Sequence, residues 1–467
     1  MQLIPRLTGG RHIGRIILFA IALVTLVACS RETDPDPMPT PQVTSAAGFP
    51  TAEAVANPPQ STAISTESPA PTSRPIISTP TESAADTGIV PCGILLPILG
   101  ENEERPTSAL VATDVDLDSA PSAARPALQR ILSAPESVGL VAYEIGREGE
   151  GIYFNADTPM PLASLTKIVN LVAYAEAVDI GALDPSAWIP ISEIERAYLP
   201  GSDLGAHRAS IAELGEKGLI SADEQTIPME QVPWMMMRHS SNAASDYLQM
   251  SIGQEIIENT VQKMDMLSHT APCPFVGQFL AISNHTRHGN DRQAVEGFID
   301  DPEFYGQEVM RLTESFMNDP EFRRAEGYWR APVSTQRAFS DNLNPQASAR
   351  DYARLMSTII QNDIGSDYVN ILVRRAIEWP MIYAANQQLF STVGYKNGSL
   401  PGVLTIAYYG QRLEDGAQVV VVLLFRDLPM QMYRQWRQSL THDELARWLL
   451  ADPDAIRTFK AWVENAP

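Results

Sequence analysis

Lysine is nearly absent from this chain: of its 34 basic residues only five, Lys167, Lys217, Lys263, Lys396 and Lys460, are lysines and the rest are arginines. Wherever a plain positive charge suffices, this protein uses arginine. A retained lysine therefore points to a task arginine cannot perform, above all losing a proton, because a buried amine can be driven neutral whereas a guanidinium stays charged. Cysteine is just as sparse, at three residues, Cys29, Cys92 and Cys273. Positive charge is outnumbered overall, for a formal balance of −22, and removal of residues 1–28, with Arg6, Arg11 and Arg15, makes it more negative still. Such a balance argues against nucleic acid as a partner and fits a soluble extracytoplasmic domain. From 30 to 88 aromatic residues are missing apart from Phe49, while Pro, Ser, Thr and Ala dominate. A segment of that kind cannot bury enough apolar surface to offset its ordering entropy.

What the N-terminus does contain is a basic region followed by an apolar run, Ile16–Ala28, too short to span a bilayer comfortably. It ends Leu26-Val27-Ala28-Cys29, which resembles a bacterial lipobox. The expectation is a signal peptide over 1–28, lipidation of Cys29 and a tether over 29–88 that holds a domain off a membrane. A coil of ~60 residues spans roughly 45 Å. With Cys29 assigned to lipid, an even pair remains in an oxidising compartment, so a Cys92–Cys273 disulfide is expected, two separate buried thiols being the alternative.

Residues 89–121 read as a transition with an apolar patch at Ile94–Leu99, and a compact domain as starting near Ser122 and running to 467. Gly139–Ile145 and Gly151–Phe154 read as a hairpin around Gly146–Glu150, and Gly402–Gly410 with Gln418–Phe425 as a second around Leu413–Gly416. Leu165–Val178, Asp443–Leu450 and Asp454–Val463 have helical apolar spacing. Strands near both ends of the domain and helices between them predict an α/β sandwich, with one antiparallel sheet built from both chain ends and a helical lobe.

Three short motifs carry the chemistry. In Ser164-Leu165-Thr166-Lys167 the amine falls one helical turn from the hydroxyl, close enough to take its proton, and the helix start offers N–H groups to a developing oxyanion. The following run Ile168–Ala175 is apolar on nearly every side, so Lys167 should be partly desolvated and its pKa lowered. Ser240-Ser241-Asn242 follows, between helical stretches at Trp234–Met237 and Ala243–Met250, with the Met235–Met237 run read as core packing. Lys396-Asn397-Gly398-Ser399 comes last. Each motif alone also reads blandly, as an N-cap, a polar turn and a strand-end turn.

In that order the three resemble the signature of the penicillin-recognising serine hydrolases, that is class A β-lactamases and low-molecular-weight D-alanyl-D-alanine peptidases. The resemblance covers roughly residues 122–465 and implies the three-layer α-β-α β-lactamase-like fold. It implies Ser164 as nucleophile, Lys167 as its base and Ser240 as the group passing a proton to the leaving nitrogen. It further implies substrate binding by Asn242, Lys396, Asn397, Gly398 and Ser399, with the N–H groups of Ser164 and Ser399 as oxyanion hole. Asn397 stands where the family usually has threonine, so a hydroxyl contact must come from Ser399 or be absent.

The pattern also breaks. The Glu-x-x-Leu-Asn run by which class A β-lactamases activate the deacylating water is missing. An expanded stretch, Gly277–Asn344, holds Glu296, Glu303, Glu308, Glu314, Glu321 and Glu326 without the expected neighbours. No arginine or lysine lies on Leu404–Gly410, where many β-lactamases anchor a second carboxylate. No cofactor is expected, and no metal, since His285-x-x-His288 sits in a polar loop without a third ligand. Asp246 reads as a helix-surface or capping charge. The first expectation is thus a lipid-anchored monomeric serine hydrolase acylated by β-lactams and hydrolysing them. The alternatives are a D-alanyl-D-alanine peptidase acting on peptidoglycan stem peptides, and a non-catalytic envelope binding protein of the same fold.

Overall fold

The computed structural model describes residues 89–98, 105–110, 115–283, 290–327, 329 and 331–466. The signal peptide, Cys29, the tether and His285-x-x-His288 lie outside the described residues.

A seven-stranded sheet runs in the order Val463–Ala466, Thr107–Leu110, Ile152–Phe154, Val138–Glu144, Gln418–Phe425, Val403–Arg412 and Phe390–Leu400. Both anticipated hairpins form, with Val141 opposite Tyr153 and Val421 opposite Tyr408. The strand Gln418–Phe425 shows why the architecture has three layers. Alternate side chains leave opposite faces of a strand, and here both sets are apolar. Val420, Val422 and Leu424 enter a core shared with the helical lobe, while Val419, Val421, Leu423 and Phe425 enter another shared with Leu128, Trp436, Leu445 and Leu449 from helices near both chain ends.

Three expectations are corrected. The sheet is not wholly antiparallel, since Thr107–Leu110 pairs in parallel with Ile152–Phe154. That strand lies upstream of Ser122, so residues of the supposed transition are built into the sheet. The last helix covers only Ala455–Lys460, and the chain then extends as Val463–Ala466 to pair antiparallel with Thr107–Leu110. The expanded stretch forms its own helices, Phe275–Ile282, Asp291–Asp300, Pro302–Asn318, Pro320–Ala325 and Val333–Asn342. They close around a separate core containing Phe279, Phe298, Val309, Phe316 and Phe339. A β-carbon on Gly277 would collide with the Val309 carbonyl and the Thr313 hydroxyl, so only glycine lets the helices Phe275–Ile282 and Pro302–Asn318 approach so closely.

Cys92 and Cys273 are disulfide-bonded, with Cα atoms 4.9 Å apart across 181 residues of sequence. The bond ties the segment before the sheet to the start of the expanded stretch. No helix among the described residues is long and apolar enough to cross a membrane.

Candidate active site

Ser164 does not open the α-helix as expected. It sits in a 3-10 turn, Ala163–Thr166, and the α-helix begins at Lys167 and runs to Asp179. Two contacts impose the turn. Ala163 has a left-handed backbone (φ 50°), and its N–H donates to Asn344 Oδ1 at 2.8 Å. The Leu162 N–H donates to the Pro345 carbonyl at 3.0 Å. The helix behind is buried along Lys167–Ala175, as its unbroken apolar sequence predicts, and Lys167 has no exposed surface.

The Lys167 amine has four oxygens around it. The Ser240 carbonyl accepts at 2.6 Å and Asn242 Oδ1 at 2.7 Å, while the Ser164 and Ser240 hydroxyl oxygens lie at 3.3 and 3.2 Å. The two short contacts go to oxygens that can only accept, and they consume two N–H bonds. The two longer ones go to hydroxyls, which can equally donate. A neutral amine therefore fits: two N–H groups are satisfied and its lone pair faces the serine hydroxyls. Electrostatics agree. Burial pushes the Lys167 pKa from 10.5 down to about 7, against the upward pull of the Asp246 and Asp203 charges. The amine also meets the Phe275 ring, 4.5 Å from its centroid, and no carboxylate among the described residues hydrogen-bonds to it.

Ser240 is the hub. Its backbone is left-handed (φ 65°), uncommon for a residue with a β-carbon. That conformation turns its carbonyl onto Lys167 and sets its hydroxyl between two amines, with Lys396 Nζ at 2.9 Å. The flanking helices Gln231–Arg238 and Asn242–Ile252 leave the anticipated break between them, and Met235, Met236 and Met237 are core residues. The neighbouring Ser241 secures the turn, because its hydroxyl accepts from the Ala244 N–H at 3.1 Å and meets His207 Nδ1 at 3.0 Å. Burial lowers the His207 pKa to about 4, so this ring is neutral near pH 7.

Lys396 comes from the edge strand Phe390–Leu400 and is 1% exposed. Its amine also donates to the Asn397 carbonyl at 2.7 Å. Burial, and then the Lys167 charge, hold its pKa well below the ordinary range. Gly398 brings the strand against the nucleophile: a β-carbon there would lie 2.8 Å from the Ser164 nitrogen and 2.6 Å from the Leu162 carbonyl, and would strike the Thr405 hydroxyl. Asn397 and Ser399 alternate with Lys396 and Gly398 along the strand. The Ser399 hydroxyl lies 2.9 Å from that of Tyr433, on the helix Met430–Ser439, whereas the Asn397 side chain makes no hydrogen bond to a described residue.

Asp246 is neither exposed nor a cap of its own helix. It is fully buried and accepts from the Phe275 and Val276 N–H groups at 2.8 and 2.7 Å, capping the helix Phe275–Ile282. Burial raises its pKa, partly offset by those two bonds. Asn344, His207, Phe275 and Tyr433 were not singled out by sequence as site residues. Asn344 was read only as the end of the expanded stretch, and nothing local marked the other three. Of the six glutamates of the expanded stretch, Glu308 pairs with Arg311 and Glu296 with Arg292, Glu303, Glu314 and Glu321 are exposed, and Glu326 is half-buried.

Such a site can deprotonate a hydroxyl, hold an anion beside two amines and pass a proton through Ser240. The family model Beta-lactamase2, described as the beta-lactamase enzyme family, matches residues 123–378. No curated protein matches the sequence. Among solved structures, a beta-lactamase from Sphaerobacter thermophilus is 16% identical, covers 68% of this chain and 94% of its own and has a TM-score of 0.42. PBP-A is 14% identical over 72% of this chain and 98% of its own, with a TM-score of 0.39. A beta-lactamase from Chitinophaga pinensis is 13% identical over 70% and 98%, with a TM-score of 0.41.

Proposed function

The chain belongs to the beta-lactamase enzyme family, and from that premise we propose that it is a serine hydrolase forming an acyl-enzyme with β-lactams at Ser164. The observation that carries this reading is the Lys167 amine, buried, shifted to a pKa of about 7 and turned toward the Ser164 hydroxyl at 3.3 Å. Neutral Lys167 takes the hydroxyl proton as Ser164 Oγ bonds to the lactam carbonyl carbon. The N–H groups of Ser164 and Ser399 stabilise the resulting oxyanion. As the carbon–nitrogen bond breaks, the nitrogen takes the Ser240 hydroxyl proton, and Ser240 is reprotonated from the Lys167 ammonium, 3.2 Å away. Lys396 and Asn242 hold the substrate, Lys396 gaining charge beside a substrate carboxylate.

β-Lactam hydrolysis is the first reading. A second, a D-alanyl-D-alanine peptidase whose acyl-enzyme with penicillin persists, is favoured because the Phe275 ring packs on Lys167 and no carboxylate among the described residues hydrogen-bonds to that amine. The N-terminal sequence supports an extracytoplasmic location, with Cys29 lipidated and the tether spacing the domain from the membrane.

The test is incubation with a fluorescent penicillin and a chromogenic cephalosporin. Rapid turnover supports a β-lactamase, a lasting adduct supports a peptidase, and absence of labelling overturns both. Ser164→Ala should abolish labelling, and undiminished labelling of that variant refutes the assignment of the nucleophile.

A further inference from the structure

Ser240 holds a left-handed backbone although it carries a β-carbon, and such a conformation persists only where its surroundings over-determine it. Those surroundings converge on one helix, Ala206–Glu216, which contributes no residue to the three motifs. Before Ser240, the Glu213 carboxylate accepts from Arg238 Nε at 2.6 Å and bonds His239 Nε2, both through its Oε2 oxygen. After Ser240, His207 Nδ1 meets the Ser241 hydroxyl at 3.0 Å, and that hydroxyl caps the helix Asn242–Ile252 through the Ala244 N–H. Two side chains of one helix therefore grip the residues on either side of Ser240.

Both grips are shielded from water. His207 is 1% exposed, and its ring packs on that of Tyr198, 4.8 Å between centroids. The side chains of Glu213, Arg238 and His239 are 14%, 13% and 7% exposed, so their bonds escape most of the screening that weakens surface ion pairs. Burial alone would raise the Glu213 pKa, yet the bonds from Lys217, Arg238 and His239 hold it at about 2, so it stays a carboxylate across the neutral range. Lys217 differs from the other two partners. It pairs with Oε1, at 2.5 Å, its side chain is 44% exposed, and it does not adjoin Ser240 in sequence.

We propose that Glu213 and His207 are positioning residues for the proton relay: from the helix Ala206–Glu216 they fix the turn that sets the Ser240 hydroxyl between Lys167 and Lys396. The proposal rests on the reading of Ser240 as the group that protonates the leaving nitrogen. In that step the lactam carbon–nitrogen bond breaks and its electron pair stays on nitrogen. The nitrogen takes the Ser240 hydroxyl proton, and the Ser240 oxygen takes one from the Lys167 ammonium. Such a transfer demands hydrogen-bond reach, so displacing Ser240 slows it before any other step. An ester that expels p-nitrophenolate needs no proton on its leaving group and is indifferent to the relay.

The test compares acylation of Ser164 by a fluorescent penicillin with acylation by the p-nitrophenyl ester of phenylacetylglycine and reads the ratio of the two second-order rates. A variant that merely leaves less folded protein lowers both rates together and does not move the ratio. Ser240→Ala should lower it by about 10²–10⁴-fold. Glu213→Gln, and His207→Phe, which keeps a ring against Tyr198, should each lower it by about tenfold or more, since a displacement of about 1 Å can cost about 10²-fold. Lys217→Met removes a partner of the same carboxylate without touching the Ser240 turn, and its ratio should stay at the wild-type value. A ratio that falls in Ser240→Ala but holds in Glu213→Gln or in His207→Phe overturns the proposal, as does an equal fall in Lys217→Met. A ratio that holds in Ser240→Ala itself overturns instead the relay reading beneath it.

Discussion

Acylation should depend on pH through Lys167. An ordinary lysine with a pKa of 10.5 is neutral at pH 7 in about one molecule in 3,000, whereas one shifted to about 7 is neutral in about half. Burial therefore raises the population of competent base by more than about a thousandfold at that pH. The second-order rate of labelling by a fluorescent penicillin, measured between about pH 5 and 9, should climb roughly tenfold per unit below about 7 and level off above it. Lys167→Arg cannot supply a neutral base, so its labelling should fall by about 10²–10⁴-fold and lose the rise. The same shift has a consequence for stability. The folded pKa lies below the unfolded one, so between about 7 and 10.5 the unfolded chain binds more protons, and this group makes the fold more stable as pH rises through that window. Urea midpoints of the wild type should thus gain on those of Lys167→Met from neutral to alkaline pH, the comparison cancelling effects of the overall negative charge. A flat labelling profile, or a full profile retained in Lys167→Arg, refutes the role of this amine.

Pre-steady-state kinetics with a penicillin should show a burst and then a slow phase, because among the described residues no glutamate of the expanded stretch hydrogen-bonds Lys167, whose partners are Ser164, Ser240 and Asn242, and a missing general base typically costs about 10²–10⁴-fold. Steady hydrolysis without a burst, abolished by Glu314→Gln, Glu321→Gln or Glu326→Gln, would contradict this. Gly398→Ala should lose labelling and about 1–3 kcal/mol of stability in urea unfolding, since its methyl meets backbone atoms of Leu162 and Ser164 that cannot move aside without deforming the nucleophile turn. Intact-mass analysis of the protein from its native membranes should give an acylated chain starting at Cys29, and Cys29→Ser should yield an unlipidated species with altered processing; a different, unacylated native start defeats the tether argument.

The parts of the site that could be read from sequence are those whose chemistry is local. Ser164 and Lys167 are three residues apart, so one turn of either helix type brings them together, and the 3-10 geometry found here changes little. The apolar run after Lys167 predicted a buried amine because no face of that helix is polar enough to meet water. The sheet was legible where strands alternate or are wholly apolar, as in Gln418–Phe425. It was illegible at Val463–Ala466, whose sequence has no two-residue period and whose strand state comes from backbone pairing with Thr107–Leu110.

What escaped is what depends on long-range packing. Asp246 has the position of a surface charge if its helix is taken alone. It is buried because the N-terminus of Phe275–Ile282 abuts that helix and offers two N–H groups that need an acceptor. The same docking brings Phe275 onto Lys167, so one carboxylate, misread from its neighbours, fixes the ring that packs on the catalytic amine. The buried aspartate and the aromatic ring beside the base are therefore two consequences of one docked helix. Once the expanded stretch closes on its own core, its first helix must be anchored, and the anchored helix leaves an aromatic wall beside the base. Reading that from sequence would have required knowing that Asp246 and Phe275 meet, and nothing in the residues around either one says so.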